Sequence, residues 1–144
     1  MIFYTVGYAQ KDITKFIAEL EAHSIDVLVD VREYPLSRKK GFSKTALAEY
    51  LRQCGIEYWH FRELGSPKEL RKKYAEDGDF DYFRKHFKEG FEVRRDILKL
   101  LLEQTATNTI CLMCFEADWS GCHRGILAEE LISLDGGVTS VQHL

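Results

Sequence analysis

The eleven residues Cys114-Phe115-Glu116-Ala117-Asp118-Trp119-Ser120-Gly121-Cys122-His123-Arg124 hold two thiols, two carboxylates, an imidazole, a guanidinium and an indole. A thiol that ionises is a nucleophile, a redox group or a metal ligand, and its neighbours decide which. The apolar run Thr109 to Met113 leads into this segment, and a helical pattern from Ile126 to Leu134 leads out. That predicts strand, loop and helix, with Cys114 at the strand's end and Cys122 in the first helical turn. Helix amides, Arg124 and a protonated His123 would all favour thiolate there. Cys114 and Cys122 are therefore candidates for a nucleophile or redox thiol, and Glu116 and His123 for an acid or base. The structural alternative has Cys114 ending a buried strand and Cys122 packing under the helix.

Spacing argues against several chemistries. Cys111-x-x-Cys114 has redox or zinc-knuckle spacing, but both residues fall in the predicted strand, where positions three apart face opposite ways. Cys111 is expected in the core, as is Cys54 on its helix face. A phosphatase-type or rhodanese-type loop puts five residues between Cys and Arg, and Arg124 lies too far from Cys114. Glu116 and Asp118, with Cys114, Cys122 and His123, also make a plausible metal set, since zinc accepts S, N and O ligands. Adjacent helical residues diverge by about 100°, however, so Cys122 and His123 are not expected on one ion. No metal is assigned.

A second polar cluster follows another predicted strand. Asp26 to Val31 is a β-branched run suited to a strand buried on both faces. The loop after it carries Arg32, Arg38, Lys39, Lys40 and Lys44, with Tyr34 and Phe42 interleaved. Basic groups among aromatic rings suit phosphate contacts and base stacking. A solvated charged loop is the plainer alternative. Asp30 and Arg32 adjoin the buried strand and so lie near the sheet edge. Arg32, Arg38 and Arg124, with the helix N-terminus at Gly121-Cys122, are candidate anion contacts. His60 ends a third predicted strand within reach of the site, His143 lies in the last strand, and His23 and His86 fall at the surface or its boundary.

These loops need a frame. Ile2 to Val6 reads as a strand, and Ile13, Phe16, Ile17 and Leu20 as a helix capped by Asp12. Ser43 is expected to cap a helix bearing Leu47, Tyr50, Leu51 and Cys54, and Ile56 to Phe61 to form a strand. Ser66-Pro67-Lys68-Glu69 reads as a capping box with proline at the first helical position. Phe80, Phe83 and Phe87 form one apolar stripe, and Val93, Ile97, Leu98, Leu101 and Leu102 another. Thr109 to Cys114 is a strand, Ser120 caps a helix from Gly121 to Leu134, and Val138 to Leu144 is a last strand. The pattern predicts one α/β domain over 1–144. Its sheet is parallel-rich, with helices on both faces and a helical insertion around 62–105. Ligands of such sheets bind beyond the carboxyl ends of the strands.

The bulk numbers agree. A chain of 144 residues, 45% hydrophobic, fits one domain with a real core. A net charge of -3, from 20 basic and 23 acidic residues, gives no global pull toward nucleic acid or membrane. No apolar run approaches a membrane span, and the first residues lack the basic leader of a signal peptide. Four cysteines without framework spacing predict a reducing, cytoplasmic setting.

Several segments carry a family likeness: Thr5-Val6-Gly7-Tyr8, Asp30-Val31-Arg32 with Pro35 and Ser37-Arg38, and Ile56-Glu57-Tyr58 with Glu63-Leu64-Gly65. Most specific is Cys114-x-Glu116 followed by Cys122-His123-Arg124, with His143 near the end. As an ordered set they resemble domain-of-unknown-function family 488 (DUF488). The resemblance implies an α/β single domain and a shared polar set of Asp30, Arg32, Ser37, Arg38, Cys114, Glu116, Cys122, His123 and Arg124. It supplies no reaction and no cofactor. Three functional readings stand at this point. One is an enzyme taking a phosphate-bearing or nucleotide-like small ligand. Another is a non-catalytic nucleic-acid-binding module. The third is a buried ion-pair network, Arg32 and Arg124 against Asp30 and Glu116, that orders two loops.

Overall fold

The computed structural model describes residues 2–137 and 139–144. Across them the chain forms five strands, all paired in parallel, and six α-helices. The strands are β1 (Ile2–Gly7), β2 (Val27–Asp30), β3 (Glu57–His60), β4 (Ile110–Cys114) and β5 (Ser140–His143), in the spatial order β3-β2-β4-β1-β5. Val138, the first residue of the expected last strand, lies outside the described residues. Every residue of β2 and β4 is buried. That is why these central strands read as unbroken apolar runs.

Two helices cover one face and four the other. α1 (Ile13–Ala22) and α2 (Lys44–Gln53) pack Phe16, Leu20, Leu47 and Leu51 against Leu28, Cys111 and Met113. The insertion between β3 and β4 supplies α3 (Lys68–Asp77), α4 (Phe80–Lys88) and α5 (Phe91–Gln104). With α6 (His123–Leu134) these bury Phe83, Phe87, Leu98, Leu101, Leu127 and Leu131 against Val29, Leu112 and Cys114. Arg94 of α5 binds the insertion to the turn after β3: its Nε donates to Glu63 O at 2.9 Å, and its guanidinium lies 4.0 Å from the Phe87 ring centre.

The connections generate a crevice. After β1 and β2 the chain turns to the α1/α2 face, and after β4 it turns to the α6 face. β4 lies between β1 and β2, so the loops leaving neighbouring carboxyl ends diverge there, which is the switch point where α/β sheets hold ligands.

Local details differ from expectation in four places. Asp12, by contrast, caps α1 as expected, accepting from Lys15 N at 2.8 Å. Ser43 sits at the N-cap of α2 without capping it, because its hydroxyl is engaged by Ser37, donating to Ser37 O at 2.9 Å and accepting from Ser37 N at 3.0 Å. The capping box at Ser66 does not form: extended Pro67 takes the cap position and α3 starts at Lys68. Cys54 is exposed rather than core, because α2 ends before it and it becomes the C-cap. Finally, α6 starts at His123, not Gly121. The Asp118 carboxylate takes both Ser120 N (2.9 Å) and Ser120 Oγ (2.6 Å), winding 119–121 into a 3-10 turn and leaving Cys122 as the N-cap.

Candidate functional site

A pocket of about 760 Å³ opens at the switch point. Its walls include Arg32, Glu33 and Tyr34 from the loop after β2, Cys114, Phe115 and Glu116 after β4, and Cys122 and His123 at the start of α6. The insertion adds Ser66, Arg71, Tyr74 and Phe83.

Cys122 lies on the pocket wall at the head of α6. Its backbone is extended (φ -134°, ψ 149°), so its side chain turns back over the helix end and accepts from Arg124 N at 3.5 Å. Cys114 Sγ lies 2.9 Å from Cys122 Sγ, and His123 Nδ1 lies 3.6 Å from it. The expectation that Cys122 and His123 must diverge is therefore corrected, since only the second of the two is helical. His123 Nε2 donates to Val31 O at 2.8 Å, leaving Nδ1 to face the thiol.

The surroundings push the two thiols apart in acidity. Cys122 is held well below the ordinary thiol value by the hydrogen bond from Cys114, then by the charge of His123, against an opposing cost of burial. Cys114 is pushed well above it, first by burial and then by the hydrogen bond to Cys122. Burial works against charge on His123, but the neighbouring Cys122 thiolate outweighs this and raises its pKa. The surroundings on the pocket floor thus favour charge on Cys122 and His123 and a neutral Cys114. On the rim, the Glu116 carboxyl is raised by desolvation and by the Cys122 charge.

The other expected site residues fare differently. Asp30 is fully buried and does not line the pocket. It accepts from Arg32 Nε (2.9 Å), Arg32 Nη2 (2.7 Å) and Tyr58 OH (2.5 Å). Arg32 Nη1 donates to Tyr8 OH and Phe42 O at 3.1 and 2.7 Å. Arg32 therefore reaches the pocket wall with most of its donors committed to structure. Ser37 lines the pocket, but its hydroxyl accepts from Lys39 N at 3.1 Å. Arg38 is exposed and outside the pocket wall. Arg124 is fully buried beneath the loop after β4, not in the pocket. Its Nη2 donates to Ala117 O at 3.4 Å, while Nε and Nη1 find no partner among the described residues. His60 stands behind the site, its Nε2 donating to Arg32 O at 2.7 Å. His143 stacks on Trp119 with ring centres 4.0 Å apart, steadying the same loop.

Sequence reasoning missed Ser66, Arg71 and Tyr74. The Ser66 hydroxyl is buried in the pocket wall without a partner among the described residues. Arg71 shares Glu33 at 3.2 Å and remains partly exposed. A signal existed: positions 71, 74, 75 and 78 all line the pocket and repeat at helical spacing along α3 and its C-cap.

The loop that carries Cys114 and Glu116 is held by close backbone approach. Tyr8 N and Ala9 N donate to Cys114 O and Phe115 O at 3.2 and 2.9 Å. A Cβ on Gly7 would strike Glu116 O and C, which are backbone atoms that cannot rotate away. Gly7→Ala is expected to cost about 1–3 kcal/mol, towards the upper end, and to slow reaction of Cys122 by displacing the loop. Thermal melts and alkylation rates check this; a variant within about 0.5 kcal/mol of the parent would contradict the close approach.

Fold and site together define an α/β domain with a two-thiol pocket at the switch point of its parallel sheet. The family model described as "Domain of unknown function DUF488" matches residues 12–131, and the chain belongs to that family. Among curated proteins and among solved structures nothing matches it. No helix among the described residues is long and apolar enough to cross a membrane.

Proposed function

We propose that this protein is a thiol-dependent enzyme whose nucleophile is the Cys122 thiolate and whose substrate is a small phosphate-bearing, nucleotide-like molecule. The observation that carries the reading is the trio on the pocket floor: Cys122 Sγ with Cys114 Sγ at 2.9 Å and His123 Nδ1 at 3.6 Å. An ionised thiol attacks an electrophilic carbon or phosphorus without prior deprotonation. His123, protonated beside it, and Glu116, with its raised pKa, are the groups able to give a proton to a leaving group.

The substrate class follows from the wall. Arg71, held at Nη1 by Glu33 and the Ser66 carbonyl and still partly exposed, supplies charge for an anionic oxygen. Tyr34, Tyr74 and Phe115 offer ring faces at the mouth for a planar group. The nucleic-acid-binding alternative loses two of its five cations. Arg32 is tied to Asp30, and Lys39 Nζ donates to Tyr8 O and Ala9 O at 2.9 and 3.0 Å.

The test is alkylation by iodoacetamide against pH, with the modified cysteine mapped by mass spectrometry. Cys122 is expected to react first, with a midpoint below the free-thiol value of about 8.5. AMP or another nucleoside monophosphate should slow it. Arg71→Ala should weaken that protection about tenfold to a hundredfold, the worth of a hydrogen bond to a charged group. Reaction of Cys122 only on unfolding would overturn the nucleophile. Fast reaction that neither nucleotides nor inorganic phosphate slows would overturn the substrate class.

A further inference from the structure

The contact between Cys114 and Cys122 is unusually suited to bond formation. Their sulfurs are 2.9 Å apart. Two thiolates sharing a tetrahedral zinc, each about 2.3 Å from it, would stand about 3.8 Å apart. A disulfide bond is about 2.05 Å long, so closure asks for a movement of roughly 0.9 Å. Cys114 ends a strand and Cys122 begins a helix, and rotation of the two side chains about their Cα–Cβ bonds is enough to supply that movement. Cys122 and Cys114 are 5% and 2% exposed. A protein disulfide cannot approach such sulfurs in line, whereas a small oxidant entering the pocket can. The pocket that reaches both sulfurs is also lined by the rings of Tyr74, Phe83 and Phe115. That favours an oxidant with an organic group.

We propose that the Cys114–Cys122 pair reduces organic hydroperoxides, with Cys122 the peroxidatic thiol and Cys114 the resolving one. In the first step the Cys122 thiolate attacks the terminal oxygen of ROOH. An S–O bond forms, the O–O bond breaks, and the leaving alkoxide takes the proton of the His123 imidazolium to give ROH. Cys122 is now a sulfenic acid, two electrons oxidised. In the second step Cys114 attacks the Cys122 sulfur. The S–S bond forms, the S–O bond breaks, and the Cys114 proton, passed through neutral His123, leaves with the hydroxide as water. An external thiol returns the disulfide to the dithiol by exchange. The proposal rests on the reading of Cys122 as an ionised nucleophile and is independent of the nucleotide-like substrate.

The experiment treats the full chain with stoichiometric cumene hydroperoxide and follows free thiols, intact mass and peptide maps. Two of the four cysteines should be lost. The mass should fall by two hydrogens, with Cys114 joined to Cys122, and dithiothreitol should restore both. The reaction should outpace oxidation of exposed Cys54 by about tenfold or more, as expected for a low-pKa thiol over an ordinary one, and Cys54→Ser should leave it unchanged. Cys114→Ser should instead accumulate a Cys122 sulfenic acid that dimedone traps. Oxidation of Cys122 beyond the sulfenic acid while wild-type Cys114 stays free would overturn the proposal. So would resistance of both thiols to the hydroperoxide in a protein whose Cys122 alkylates below the ordinary thiol range. An ordinary alkylation profile would instead overturn the nucleophile reading beneath it.

Discussion

Asp30→Ala is expected to remove about 3–5 kcal/mol of stability, the usual loss when one partner of a buried ion pair is taken away. The whole domain has about 5–15 kcal/mol. The cause is what remains. Arg32 is 7% exposed and donates two hydrogen bonds to Asp30, and burial that would otherwise lower its pKa is outweighed chiefly by the hydrogen bonding to Asp30. Without the carboxylate, a buried guanidinium keeps only the neutral partners Tyr8 OH and Phe42 O. Tyr58 also loses the acceptor of its hydroxyl. The double variant Asp30→Leu with Arg32→Met should recover most of the loss, because it removes both charges together. Denaturant melts of the three proteins decide the matter. A loss under about 1 kcal/mol in Asp30→Ala would mean that Arg32 is free to serve the pocket as an anion contact.

The pairing of Arg32 with Asp30 is a contact that the sequence leaves open for a physical reason. Alternation would put Asp30 and Arg32, two apart, on one face, but β2 ends at Asp30 and the rule stops there. Only the fold shows that the chain leaves the strand at Val31 and lets Arg32 fold back onto Asp30. Arg124 carries the same lesson with the opposite outcome. It sits in the first turn of α6, and a first-turn arginine suggests an anion contact, yet the strand–loop–helix geometry buries it beneath the loop after β4.

The frame was more legible than the site. β2 and β4 are buried along their whole length, so hydrophobic continuity marked them without help from neighbours. The stripes of Phe83 and Phe87, and of Leu98 and Leu101, marked the insertion as helical and core-facing. What helical periodicity hides is the other edge of the same helices: Arg71 and Tyr74 reach the pocket from α3, far in sequence from either loop. The start of α6 was misread because Ser120 is a good cap in isolation. Asp118 two residues earlier competes for its amide and hydroxyl, and that competition sets the backbone of Cys122. One residue of helix register thus decides whether thiol and imidazole meet.

That meeting gives the second large effect, a loss of reactivity in Cys114→Ala. The hydrogen bond from Cys114 is the leading cause of the depressed Cys122 pKa. A hydrogen bond to a charged group is worth about 1.5–3 kcal/mol, so at a pH below both the native and the variant midpoints the thiolate fraction should fall about tenfold to a hundredfold, and by less between them. The sign is fixed by which form reacts. Thiolate is the nucleophile, so the alkylation rate rises with pH to a plateau, and losing a contact that favours thiolate moves that rise to higher pH. Cys114→Ser, which keeps a hydroxyl donor, should stay near the parent and separate the hydrogen bond from packing. His123 reports the same coupling from the other side. With Cys122→Ser the thiolate charge disappears, leaving burial and Arg71 against only the hydrogen bond to Val31, so the imidazole should titrate lower than in the parent protein. Histidine resonances followed by NMR against pH measure this directly. An unchanged His123 titration in Cys122→Ser, together with an unmoved alkylation profile in Cys114→Ala, would break the thiolate–imidazolium arrangement on which the catalytic reading depends.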